Sequence, residues 1–162
     1  MTRTVLPLGV GVLALLLASC GKDTDEHRLA KREWLRRVDA VCRDENTERE
    51  AVPPLPFDPS SATLSPAQLS EAPRYLVPRL EIADRTTERL EPLGLPDDGA
   101  NDAKAILDQR QDGRDALVEA IDAARDGDVD KFQKRLGEAE ANFGDATELA
   151  SDFGLTQCGM PS

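Results

Sequence analysis

The chain has one histidine in 162 residues, three cysteines, one tryptophan and one tyrosine, and aromatic residues make up only 4% of it. A lone histidine, His27, removes most metal and acid–base chemistry. Carboxylate–histidine di-metal bundles need several histidines on facing helices, and attachment of a c-type haem needs a histidine beside paired cysteines. A histidine-based nucleophile–base pair would have to use His27, and no two carboxylates stand out from 31 Asp and Glu to serve as a catalytic pair. Basic charge is also in short supply, at 20 Lys and Arg, which disfavours general nucleic-acid binding. No apolar run reaches the roughly 20 residues that a membrane-crossing helix requires.

The longest apolar run, Val5 to Leu17, has 13 residues and lies between Arg3 and the sequence Ala18-Ser19-Cys20-Gly21. A positive start, a short apolar stretch and small residues before the cut are the parts of a secretory signal. The ending Leu17-Ala18-Ser19-Cys20 resembles a bacterial lipobox. That resemblance implies cleavage before Cys20, a diacylglyceryl group on its thiol and an acyl group on its amine. Each buried methylene adds about 0.8 kcal/mol, so one chain anchors marginally and two anchor stably. Residues 1–19 are therefore expected to be a signal peptide, 20–29 a lipidated tether and 30–162 the folded domain, on the extracytoplasmic face of the cell membrane. An uncleaved anchor or an ordinary secretory signal is the competing reading.

Without residues 1–19 the chain keeps 143 residues, enough for one domain with its own core, and 19 bases against 31 acids, a net charge of −12. With Cys20 assigned to lipid, Cys42 and Cys158 remain as an even pair, and in an oxidising compartment such a pair reads as a structural disulfide. Closing more than a hundred residues contributes up to about 4–5 kcal/mol. A redox-active pair is the alternative, and there is no Cys-x-x-Cys to favour it.

Four segments carry helical periodicity. The first runs from about Asp25 to Glu50, with Trp34, Val38, Val41 and Cys42 on one face. The second opens on Ser65-Pro66-Ala67-Gln68, a capping box with proline at the first helical position. It continues through Leu69, Leu76, Ala83 and Leu90, with Pro73, Leu80 and Thr87 on the neighbouring row. Pro73 and Pro78 remove backbone donors there, which predicts a kink or a restart. The third runs from Asn101 to Asp126 with Ala103, Ile106, Leu107, Leu117, Ile121 and Ala124 facing inward. The fourth follows the turn Asp126-Gly127-Asp128 and places Val129, Phe132, Leu136, Ala139, Phe143, Ala146, Ala150 and Phe153 on one seam, ending at Gly154.

Short loops between the later helices and a longer one after the first predict an all-α, antiparallel up-down-up-down four-helix bundle. The five residues from Phe153 to Cys158 span at most roughly 17 Å, so Cys42 must lie close to the end of the fourth helix. That constraint starts the bundle near Ala30 to Trp34 and sets Trp34 beside Phe153 and Leu155.

Three surface features invite a functional reading. Lys22, Arg28, Lys31, Arg32, Arg36 and Arg37 form a basic segment that either rests on anionic headgroups or is a solvated face paired by Glu33 and Asp25. The middle of the third helix, Asp108 to Asp115, is almost wholly polar, with Gly113 where the apolar row should continue. Arg110, Arg114 and Asp112 make it a candidate polar pocket for an anionic ligand; the competing reading is ion pairing with neighbours. The extended stretch Val52 to Pro59 contains Pro53-x-x-Pro56 and is expected to lie as a strap over the open end of the bundle, with Phe57 as its plug. Asp97 to Asp102 offers oxygen ligands without EF-hand spacing and reads as a helix-capping turn, leaving no metal site and no cofactor beyond the lipid.

Together the lipobox, Ala40-Val41-Cys42, Gly127-Asp128 followed by Phe132, and Phe153-Gly154-Leu155 leading to Cys158-Gly159 resemble small, functionally uncharacterised helical lipoproteins of GC-rich Gram-positive bacteria. The likeness covers most of the chain and departs from the group at the prolines of the second helix. It implies the bundle and the disulfide, not an activity. The expected role is a non-enzymatic interaction or structural bundle of the cell envelope, with an envelope protein or small ligand as partner and no nucleic acid. A ligand-binding lipoprotein is the alternative.

Overall fold

A computed structural model describes residues 28–159. Four helices follow one another: α1 (Lys31–Glu50), α2 (Pro66–Leu90), α3 (Ala100–Asp126) and α4 (Val129–Phe153), with a single 3-10 turn at Glu91–Leu93. The signal peptide, Cys20, Lys22, Asp25 and His27 lie outside the described residues.

The chain is an antiparallel bundle, and its cross-helix ion pairs record the directions. Asp44 and Glu48 on α1 meet Arg89 and Arg85 on α2 in reversed order. Asp84 on α2 meets Arg114 on α3, and Glu119 on α3 meets Arg135 on α4. Alanines at 116, 120, 123 and 124 on α3 and at 139, 146 and 150 on α4 are all buried, and these two helices pack most closely.

Helix α1 starts later than expected, because residues 28–30 are not helical. Its cap comes from elsewhere in the chain. Asp97 Oδ1 accepts from the Lys31 backbone N–H at 2.9 Å, and the Asp97 N–H donates to the Leu29 carbonyl at 3.0 Å. The acidic turn 97–102 therefore does cap a helix, but a distant one. α2 opens on the expected capping box, with Ser65 and Gln68 bonded reciprocally. It then runs unbroken through Pro73 and Pro78, so of the kink or restart expected there the restart is absent. Leu69, Ala72 and Leu76 on one side and Ile82, Ala83 and Leu90 on the other are all seated in the core, and that burial carries the helix past two missing donors. On the neighbouring row Thr87 is exposed, while Thr86 is buried. The seven-residue row Leu69, Leu76, Ala83 and Leu90 stays buried to the end of the helix.

α4 follows its sequence pattern closely. Asp128 accepts from the Lys131 N–H at 3.0 Å, and Phe132, Leu136, Ala139, Ala146, Ala150 and Phe153 are buried. Gly127 and Gly154 end α3 and α4 with φ of +77° and +103°, and the Leu155 that follows packs back into the core.

The tail then closes on α1. Cys42 and Cys158 form a disulfide with Cα atoms 5.2 Å apart. One helical turn before Cys42, the Asp39 carboxylate accepts from the N–H groups of Thr156 and Gln157 at 3.0 and 2.8 Å and from the Thr156 hydroxyl at 2.8 Å. Trp34 meets Phe153 edge to face, with centroids 5.8 Å apart, and its indole N–H donates to the Gly94 carbonyl. The Pro-rich strap lies where expected: Leu55 and Phe57 are half-buried against α2, α3 and α4, and the Gln133 amide donates to the carbonyls of Pro59 and Ser61 at 2.9 Å.

Candidate functional site

Most of the buried apolar residues fall into two clusters, with Ile82, Ala83 and Ala146 outside both. One, at the end where α1 begins, holds Trp34, Val38, Val41, Leu90, Ala103, Ile106, Ala150 and Phe153. The other, beneath the strap, holds Leu69, Leu76, Leu117, Ile121, Phe132 and Leu136. Between them the bundle has a polar waist. Glu45, one turn beyond Val41 on α1, is only 5% exposed, and Thr86 on α2 only 3%.

Glu45 is reached by Arg110 from α3: Nη2 donates to Oε2 at 2.7 Å, with the two side chains 15% and 6% exposed. Burying a carboxylate this deep is costly unless it is paired and hydrogen-bonded, and the Arg110 guanidinium supplies that pairing. One further turn along α1, Arg49 is half-buried, and Arg79 on α2 lies within electrostatic reach of it. Burial pushes the Arg49 guanidinium below its ordinary pKa; Glu45 opposes that shift, while Arg110 and Arg79 add to it. Among the described residues, neither Arg49 nor Arg79 forms an ion pair with an acidic side chain. The waist thus pairs Arg110 with the buried Glu45, and Arg49 lies within electrostatic reach of both.

The residues expected to share a pocket separate. Arg110 turns inward to Glu45, whereas Arg114 donates from Nε to Asp84 at 2.7 Å and from Nη1 to Asp115 at 2.8 Å, and these bonds raise its pKa. Asp112 is exposed, and Asp108 pairs with Lys104. The recess beside Arg114, lined also by Asp84, Thr87, Glu88 and Gln111, is shallow and open. A second open recess, between α3 and α4, is lined by Gln109, Asp145, Glu148, Leu149 and Asp152, and the Gln109 Oε1 atom is buried without a hydrogen-bond partner. Gly113 has a packing role: a Cβ there would sit 3.1 Å from the Phe143 ring, which fills the gap in the apolar row.

Glu45, Arg49, Arg79 and Thr86 escape the sequence reading. A signal for Glu45 exists, because 34, 38, 41 and 45 continue one helical row and the fourth member is an acid. The arginines carry no such mark among fifteen in the chain.

The basic start of α1 is largely engaged. Arg36 and Arg37 both bond Glu33, holding its carboxyl at about 2, and the Lys31 ammonium stands 3.9 Å from the Phe153 ring centroid. Among the described residues there is no group of His, Cys, Asp or Glu arranged to hold a metal ion, and no helix long and apolar enough to cross a membrane.

Comparison of the chain with protein-family models, with curated protein sequences and with solved structures finds no match.

Proposed function

We propose that this protein is an extracytoplasmic lipoprotein, held on the cell membrane by lipid on Cys20, whose helical bundle acts through contacts with envelope components rather than through catalysis. The division of labour among the cysteines carries this reading. Cys42 and Cys158 are joined, which suits an oxidising compartment and leaves Cys20 as the one thiol outside the disulfide, at the lipobox position. The late start of α1 agrees with it: the tether of residues 21–29 reaches at most roughly 32 Å, enough to hold the bundle clear of the headgroups. The ion pairs Glu45–Arg110, Asp84–Arg114 and Glu119–Arg135 join one helix to another, as a scaffold requires.

Fractionation of cells tests the proposal. Wild-type protein is expected in the membrane fraction and extractable by detergent, and Cys20→Ala is expected to leave it. Retention of Cys20→Ala at the wild-type level would reject the lipid anchor.

A further inference from the structure

Charge on the surface of the bundle is sorted by face. Residues 28–43 carry six bases against two acids, whereas residues 136–162 carry five acids and no base. On α1, Arg32, Arg36 and Arg43 are exposed and, at steps of four and seven, share the row that points away from Trp34 and Val41. Arg36 shares Glu33 with Arg37, and the acid between them on that row, Asp39, is bonded to the tail at Thr156 and Gln157. On α4, Asp145, Glu148 and Asp152 are exposed around Leu149, which at 38% is the one large apolar side chain exposed among the described residues. Among those residues, the side chains of Arg32, Arg43, Asp145, Glu148 and Asp152 form no ion pair or hydrogen bond.

We propose that this chain associates side by side with further copies of itself, the arginine row of α1 on one copy seated against the acidic, leucine-bearing face of α4 on the next. The levels of the charges match. Trp34 touches Phe153, and α1 and α4 run in opposite directions. Counting forward from Trp34 and back from Phe153 sets Arg36 about level with Asp152 and Arg43 about level with Asp145. Copies tethered to one membrane stand at one height, so upright neighbours bring these levels together; this step rests on the lipid anchor proposed above. Leu149 then meets Ala40 and the apolar stems of the arginines instead of water. An anionic membrane is the weaker partner for the arginine row, because Asp23, Asp25 and Glu26 outnumber Lys22 between Cys20 and the bundle, and it leaves the α4 face without a role. Each copy offers one face and receives on another, so the contact repeats into a row or ring. Two helix faces bury less than the roughly 1,200 Å² of a stable complex, so the contact is weak in solution and relies on confinement in the membrane.

Photo-crosslinking in intact membranes tests the contact, with p-benzoylphenylalanine in place of Leu149 in the full-length lipidated protein. A dimer and larger multiples are expected, and after reduction and tryptic digestion the crosslink should map to residues 38–43 of the second copy. Arg36→Glu with Arg43→Glu should lower the yield by about tenfold, and Asp145→Arg with Asp152→Arg should do the same, while the helical circular dichroism signal is retained. Combining all four substitutions exchanges the signs and should restore the yield. Arg74→Glu, at an exposed position on α2, should leave it unchanged. Absence of any crosslink between copies would overturn the proposal, as would a crosslink to a different protein or to lipid in its place. A yield that charge reversal leaves unchanged, or that the sign exchange fails to restore, would overturn it as well. Fractionation of Cys20→Ala is read separately. Its release, with no crosslink between wild-type copies, leaves the anchor standing and removes the contact; its retention removes the anchor, while the sign exchange still reports on the contact.

Discussion

Glu45 and Arg110 form a pair whose removal and whose absence have opposite consequences. Arg110→Met strands a carboxylate that is 5% exposed, at a cost of about 3–5 kcal/mol, whereas Glu45→Met with Arg110→Met replaces both charges by apolar volume and should cost far less. Urea denaturation of the two variants is expected to show that order, and a double mutant as unstable as the single would mean that the pair is not coupled. Gly113 presents a second test at this scale. Alanine gains about 1 kcal/mol of helix propensity over glycine, but the added Cβ meets the Phe143 ring at 3.1 Å, and overpacking of that kind costs about 1–3 kcal/mol. Gly113→Ala should therefore be destabilised by about 1 kcal/mol in the wild-type background and stabilised when Phe143 is leucine, as thermal melts of the four proteins would show. These residues also mark where sequence reading ends. Glu45 is legible as an acid on an apolar row, but its partner is 65 positions away on a polar stretch where five charged residues look alike. Only the rotation of α3 singles out Arg110 from Arg114.

Helices α4 and α2 differ in how far their sequences announced them. α4 carries an N-cap, a single apolar seam and a glycine stop, so local chemistry and tertiary contacts agree. α2 carries two internal prolines, so local chemistry argues for a break that tertiary burial prevents. The start of α1 was misplaced for a related reason, since its cap, Asp97, comes from the turn before α3 and has no signature near residue 31. At that start Glu33 bonds first Arg36 and then Arg37, which takes its carboxyl from an ordinary 4.5 to about 2. A depressed carboxyl pKa stabilises the folded state above the unfolded value, and the contribution disappears as pH falls from 4.5 through 2. The Glu33 side-chain resonance should accordingly titrate near 2 in the native protein. In the Arg36→Gln, Arg37→Gln variant its midpoint should move up toward 4.5, and a midpoint already at 4.5 in the wild type would remove the interaction.

For the whole molecule, the bundle consists of two apolar clusters with a buried ion pair between them, the strap lying over one end and the disulfide tying the tail after α4 to the middle of α1. The number and direction of the helices, the place of the strap and the neighbourhood of Trp34 and Phe153 were all legible, because periodicity, loop length and the Cys42–Cys158 constraint act over short spans or fix one distance. The waist was not, because a buried ion pair depends on the relative rotation of α1 and α3, which no local pattern encodes. The central claim joins this architecture to the division of the three cysteines, one carrying lipid and two bonded to each other. Intact-mass measurement of the protein extracted from the membrane fraction, before and after reduction, tests it most directly. The account predicts a chain beginning at Cys20, heavier than residues 20–162 by an acylated glyceryl group, that gains two hydrogens on reduction. A chain retaining Met1, or an unmodified Cys20, or no mass change on reduction would contradict it.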